Sequence, residues 1–163
     1  MVQRFIDAQK ESYDLALQEI KNGRKKSHYM WYIFPQIIGL GQSRTAQYYA
    51  IKSKQELADY WANDYLKNNL CEITQALFNL DNSNISSILG YPDDLKLKSS
   101  MTLFYTYTKN PLFKQVLDKY YQGEMDNHTL RIYSRFTAKS CSVTSPCRII
   151  YTVFGSLPCL FLL

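Results

Sequence analysis

Between Arg24 and Ser43 the chain gathers most of the side chains that could do chemistry. Arg24, Lys25 and Lys26 supply positive charge. His28 supplies a group that titrates near neutrality and is the candidate for proton transfer. Tyr29, Trp31, Tyr32 and Phe34 supply ring faces for a base or another ring, and Gln36 supplies an amide. Gly39-x-Gly41-x-Ser43 then offers backbone N–H groups where a helix is expected to start, an arrangement that attracts anions. Together, Lys25, His28, Trp31, Gln36, Gly39, Gly41 and Ser43 suit a small phosphate-bearing or nucleotide-like ligand. No Asp or Glu lies between Glu19 and Glu56, so the lysines have no acidic partner in their own segment. The glycine pattern lacks the third glycine of a dinucleotide fingerprint and the Gly-Lys-Ser/Thr of a P-loop. Each residue also has a plain alternative: the lysines as a solvated face, the aromatics as core, the glycines as a tight turn.

A second group is Lys96 with Ser99, Ser100 and Thr102. On a helix, Lys96 shares a face with Ser99 and Ser100. Serine–lysine nucleophile pairs use the order Ser-x-x-Lys, and here the order is reversed. A polar pocket wall is therefore the better reading of Lys96, Ser99 and Ser100. Asp93 and Asp94, beside Pro92, suit the start of a helix, and His128 follows Asp126 as a capping neighbour. No paired-carboxylate, Ser–His–Asp, metal-ligand or cofactor signature is present, and whether the protein is an enzyme stays open.

These residues need elements to hold them. Phe5, Ala8, Tyr13, Ala16, Leu17 and Ile20 predict a first helix that stops at Asn22-Gly23. The apolar run 27–36 predicts a short buried helix with Ser27 near its N-cap, or alternatively a buried strand. A short helix through Ala46 and Tyr49 follows. Ser53-Lys54-Gln55-Glu56 is a capping box, opening a helix with Leu57, Tyr60 and Trp61. Leu66, Leu70, Ile73, Leu77 and Leu80 form the clearest core stripe. Further helices are expected at Ile85–Leu89, after Pro92, after Asn110-Pro111 and after Asp126. The body reads as an all-α, multi-helical single domain over residues 1–133. From 134 to 163 the acidic residues are gone, three of the four cysteines appear and helical periodicity fades. That stretch reads as an atypical, non-homologous or poorly ordered tail. Its apolar run, residues 149–163, is too short for a bilayer span.

Bulk properties narrow the partners. The 163 residues suit one domain with a core that needs no staples. The net charge of +5 favours small anionic partners but falls short of a dedicated nucleic-acid binder. Fourteen tyrosines suit half-buried walls or a protein-docking face, so a non-enzymatic interaction module is the alternative function. Unpaired cysteine spacing and the lack of a signal peptide point to a reduced, cytoplasmic setting with no membrane partner.

Several motifs run through the body: Arg4-Phe5…Ala8-Gln9, Gly23-Arg24-Lys25-Lys26-Ser27-His28, Met30-Trp31, Ile33-Phe34-Pro35-Gln36, Gly39-Leu40-Gly41-Gln42-Ser43 and Ser99-Ser100-Met101-Thr102-Leu103-Phe104. On these, from about Arg4 to Leu130, the chain resembles the uncharacterised bacterial family called domain of unknown function 1810, sometimes mislabelled calpastatin. The resemblance implies a compact, mainly helical fold with buried central helices. It carries over no catalytic residue.

Overall fold

Short polar side chains set where the helices begin. Ser43, Ser53, Asn63, Asn84 and Asn110 each turn a side-chain oxygen onto a backbone N–H two or three residues ahead, satisfying a donor that has no partner inside the helix. The computed structural model describes residues 2–138. Among them are nine helices: α1 (Gln3–Lys21), α2 (Met30–Ile33), α3 (Arg44–Tyr49), α4 (Lys54–Ala62), α5 (Asp64–Phe78), α6 (Ile85–Leu89), α7 (Asp93–Thr108), α8 (Pro111–Tyr121) and α9 (Asn127–Ala138). The described residues form no strand beyond one isolated parallel bridge between Ile37 and Ile51.

Helix α7 is the central element and packs against α2, α6, α8 and α9. Leu97, Ser99, Ser100, Met101, Thr102, Leu103 and Phe104 are all buried, so almost every face of its middle turns meets protein. A row of rings crosses the core. Phe5 meets Tyr60 edge-on at 5.2 Å, Tyr60 meets Phe104 at 5.4 Å, and Phe104 meets Phe113 at 5.8 Å, so α1, α4, α7 and α8 share one aromatic contact. Many tyrosines serve this core. The hydroxyls of Tyr120 and Tyr121 donate to the carbonyls of Leu77 and Asp94.

Buried polar side chains cross-link the helices. Gln9 donates to the Tyr32 carbonyl (2.8 Å) and accepts from Asn69 (3.0 Å), joining α1 to α2 and α5. Arg4 pairs with buried Glu56 (2.6 Å) and donates to the Ala50 carbonyl (3.0 Å). The Glu19 carboxylate accepts from the N–H groups of Lys26 (2.7 Å) and Ser27 (2.9 Å) and from the Ser27 hydroxyl (2.5 Å). This corrects the expected role of Ser27. Its hydroxyl is spent on Glu19, and Tyr29 takes the residue position before α2.

Helix α9 runs through position 133 to Ala138, and Ile132, Tyr133 and Phe136 pack against the core. Residues 139–163, with Cys141, Cys147, Cys159 and the apolar run from 149, lie outside the described residues, and most of the expected tail lies there with them. No helix among the described residues is long and apolar enough to cross a membrane.

Candidate functional site

Trp31 and Lys96 stand where two concavities adjoin. The larger, about 430 Å³, is bounded by Trp31 and Gln36, by the 40–46 segment with Gly41, Ser43 and Ala46, by Pro92, Leu95, Lys96 and Ser99 around α7, and by Asp126 and His128. The smaller, about 260 Å³, adds Lys25, His28, Tyr91 and Asp93. Of the residues expected from sequence, Trp31, Gln36, Gly41, Ser43, Lys96 and Ser99 line the first space. Lys25 and His28 line the second, with Trp31 and Lys96 common to both.

Each wall has a local cause. The 24–28 segment is held by Glu19 and by the Lys25 N–H donating to the Ile88 carbonyl (2.8 Å). Segment 36–38 is pinned where the Ile51 N–H donates to Gln36 (2.8 Å) and the Ile38 N–H to Ile51 (2.9 Å). Gly41 is required by space. A Cβ there would sit 2.4 Å from the Ala46 Cβ, so any side chain would force the loop off α3.

Lys96 Nζ lies 4.8 Å from the centre of the Trp31 ring, and Lys25 Nζ lies 5.3 Å from that of Tyr29. Both ammonium groups also bind one carboxylate. Lys25 reaches one Asp93 oxygen and Lys96 the other, each at 2.7 Å. Burial works against a charged Asp93, yet the hydrogen bonds and charges of the two lysines hold its carboxyl below the ordinary aspartate value. The triad keeps one net positive charge.

Lys25 has no acidic partner in its own segment, as expected, but it is not unpaired. Its acid, Asp93, comes from α7, nearly seventy residues away in sequence. The anion-binding role expected of the Gly39–Ser43 loop is reduced as well. Ser43 turns its own side chain onto the Ala46 N–H (3.1 Å), and α3 has only six residues. Gly39, at φ +96°, does not line the cleft, and a Cβ there would lie 3.5 Å from the Ile132 side chain. Ser100 is fully buried and lines neither space, because it points into the core from α7. The Lys96 ammonium is bound to Asp93 and the Ser99 hydroxyl to Asp126, so the serine–lysine pair is not formed. The His28 side chain is exposed and makes no hydrogen bond among the described residues.

Sequence reasoning passed over Asp93, Asp126 and His128 as cleft residues. The Asp126 carboxylate accepts from Ser99 Oγ (2.9 Å), Thr129 Oγ1 (2.5 Å), and the N–H groups of Thr129 (3.1 Å) and His128 (3.2 Å). It caps α9 and ties it to α7 in one step. Burial opposes its charge, but these donors outweigh it and hold the carboxyl below its usual value. The signal in the sequence is Asp126 before an expected helix, with Thr129 three residues on. Asp126→Ala is expected to lower stability by about 2 kcal/mol, since it removes a cap and strands buried donors. Denaturant unfolding of the two proteins measures it.

A family model described as "Protein of unknown function (DUF1810)" matches residues 1–133. The crystal structure of the conserved hypothetical protein Rv1873 from Mycobacterium tuberculosis is similar, at 42% identity and a TM-score of 0.78, over 80% of this chain and 94% of that one. Among curated proteins nothing matches.

Proposed function

Because the chain belongs to the family described as protein of unknown function DUF1810, which brings no activity with it, we propose a function from the cleft alone: it binds a small, anion-bearing, nucleotide-like molecule. Trp31 is the stacking face and Lys96 the charge contact, with Gln36 and Ser43 orienting the ring or sugar. The reading rests on one observation, that Trp31 and Lys96 meet at 4.8 Å where the two concavities adjoin. Lys96 stands over the Trp31 ring, so an incoming flat ring takes the part of the indole the ammonium leaves open and brings its phosphate to that ammonium. Asp93 tempers this, because an incoming anion must compete with it for Lys96. Lys25 stays bound to Asp93 when that happens, so the carboxylate does not lose its last partner.

The test is thermal unfolding with a panel of nucleotides, ADP-ribose-like compounds and sugar phosphates. A ligand at a hundred times its Kd adds about 2.7 kcal/mol, which for a domain of this size raises the Tm by roughly 5–10 °C. Lys96→Ala is expected to lose most of that rise, measured from its own unliganded Tm, which the loss of one Asp93 partner lowers. If no member of the panel moves the Tm, the interaction-module reading takes precedence. What favours that alternative is the cleft rim, where Tyr91 is 82% exposed and Leu95 51% exposed.

A further inference from the structure

A third concavity, about 290 Å³, lies between α1 and α3 and shares no lining residue with the cleft. Arg4, Asp7 and Glu11 approach it from α1, Tyr32 from α2, and Tyr48 and Tyr49 from α3. The three rings stand at steep mutual angles. Tyr32 and Tyr49 are 5.2 Å apart at 56°, and Tyr49 and Tyr48 are 4.9 Å apart at 82°. Tyr32 and Tyr49 pack with one side against the core, Tyr49 meeting Phe5 at 6.0 Å, but core packing does not account for Tyr48, which is 55% exposed.

Charge decides what such a wall would take. The Arg4 guanidinium borders the same space and stands 6.0 Å from the Tyr48 ring centre, but its charge is paired with the buried Glu56 carboxylate and it also donates to the Ala50 carbonyl. Asp7 accepts from the neutral Gln3 amide (2.7 Å), and neither Asp7 nor Glu11 has an ion-pair partner among the described residues. The mouth is therefore locally acidic on a chain whose net charge is +5. Ring faces attract cations through their quadrupole, and an alkylated ammonium is the cation that gives up its water most readily to reach them. We propose that this concavity, walled by Tyr32, Tyr48 and Tyr49 and flanked by Asp7 and Glu11, is a binding site for an alkylated ammonium group of a small molecule.

The test titrates the intact chain with choline and, separately, with its neutral isostere 3,3-dimethylbutan-1-ol, following the ring resonances of Tyr48 and Tyr49. Choline is expected to produce saturable shifts, with the neutral isostere about tenfold weaker, the factor a partly desolvated cation–π contact supplies. Tyr48→Ala is expected to weaken choline by a similar factor with the unfolding midpoint unchanged. Glu11→Gln, which keeps the side chain's shape, is expected to weaken it severalfold. Trp31→Ala is expected to leave it unaltered, which separates this site from the cleft. No saturable shift with choline, equal affinity for the neutral isostere, or an unaffected Tyr48→Ala protein each overturns the proposal.

Discussion

Phe104→Ala is expected to lower stability by about 4 kcal/mol, the largest single-residue effect in the molecule. The ring is fully buried and lies within 5.4–6.2 Å of three others, Tyr60, Trp61 and Phe113. Removing it leaves a cavity at the junction of α4, α7 and α8, with side chains already engaged on every other side and little freedom to collapse. The loss appears as a shift in the midpoint of denaturant unfolding with an unchanged slope. A change below about 1.5 kcal/mol, well under the range for a well-packed buried ring, is incompatible with the ring row described above.

Glu19→Ala is expected to cost about 3 kcal/mol, because one carboxylate satisfies three donors and removing it strands them. Its consequence reaches the cleft, since those donors fix the backbone that carries Lys25 and His28. Amide exchange in residues 24–28 is expected to quicken more than in α7. Glu19→Gln, which keeps one oxygen, is expected to lose roughly half as much.

The same carboxylates set the acid limb of the stability profile. For Glu19, burial raises the pKa, but hydrogen bonds from Ser27 and Lys26 outweigh it and leave the group below its ordinary 4.5. Asp93 and Asp126 are likewise held below their ordinary 3.8. All three are lowered on folding, so the unfolded chain takes up protons first. Their contribution is complete above the ordinary carboxylate values and is lost as the pH falls through the lower folded ones. The Tm is expected to be flat from about pH 7 to pH 5 and to drop below about pH 4.5. Asp93→Asn is expected to flatten part of that drop.

Helix positions were legible where one local rule decides them. The Ser53 and Asn110 caps, the stop at Asn22-Gly23 and the stripe from Leu66 to Leu77 all follow from nearest neighbours along the chain, whereas Leu80, expected in that stripe, falls past the end of α5 at Phe78. What was not legible depends on partners far apart in sequence. Ser27 looked like a cap because Glu19, eight residues earlier, is hidden on the buried side of α1. The charge of the 24–43 segment looked uncompensated because Asp93 enters from α7. Ser100 looked equivalent to Ser99 because both lie one turn from Lys96. Only the packing of α9 against α7 turns Ser99 toward Asp126 and leaves Ser100 facing the core. Trp31, Gln36, Ser43 and Lys96 share a lining because Pro35 redirects the chain after α2 and the Ile37–Ile51 bridge closes the loop behind them.

The most direct measurement exploits the two tryptophans. Trp31 lines the cleft, whereas Trp61 is half-buried away from it, packed against Phe104 and Phe113 at the edge of the core. Each gives one indole N–H resonance in a nitrogen–proton correlation spectrum of the labelled protein. Titration with ADP-ribose, followed by the other members of the nucleotide panel, is expected to move the Trp31 indole along a saturable curve. The Trp61 indole is expected to stay in place, and Lys96→Ala to weaken the Trp31 response. A Trp31 resonance that stays fixed throughout the panel, or a ligand that shifts only Trp61, contradicts the assignment of this cleft as a nucleotide-like binding site.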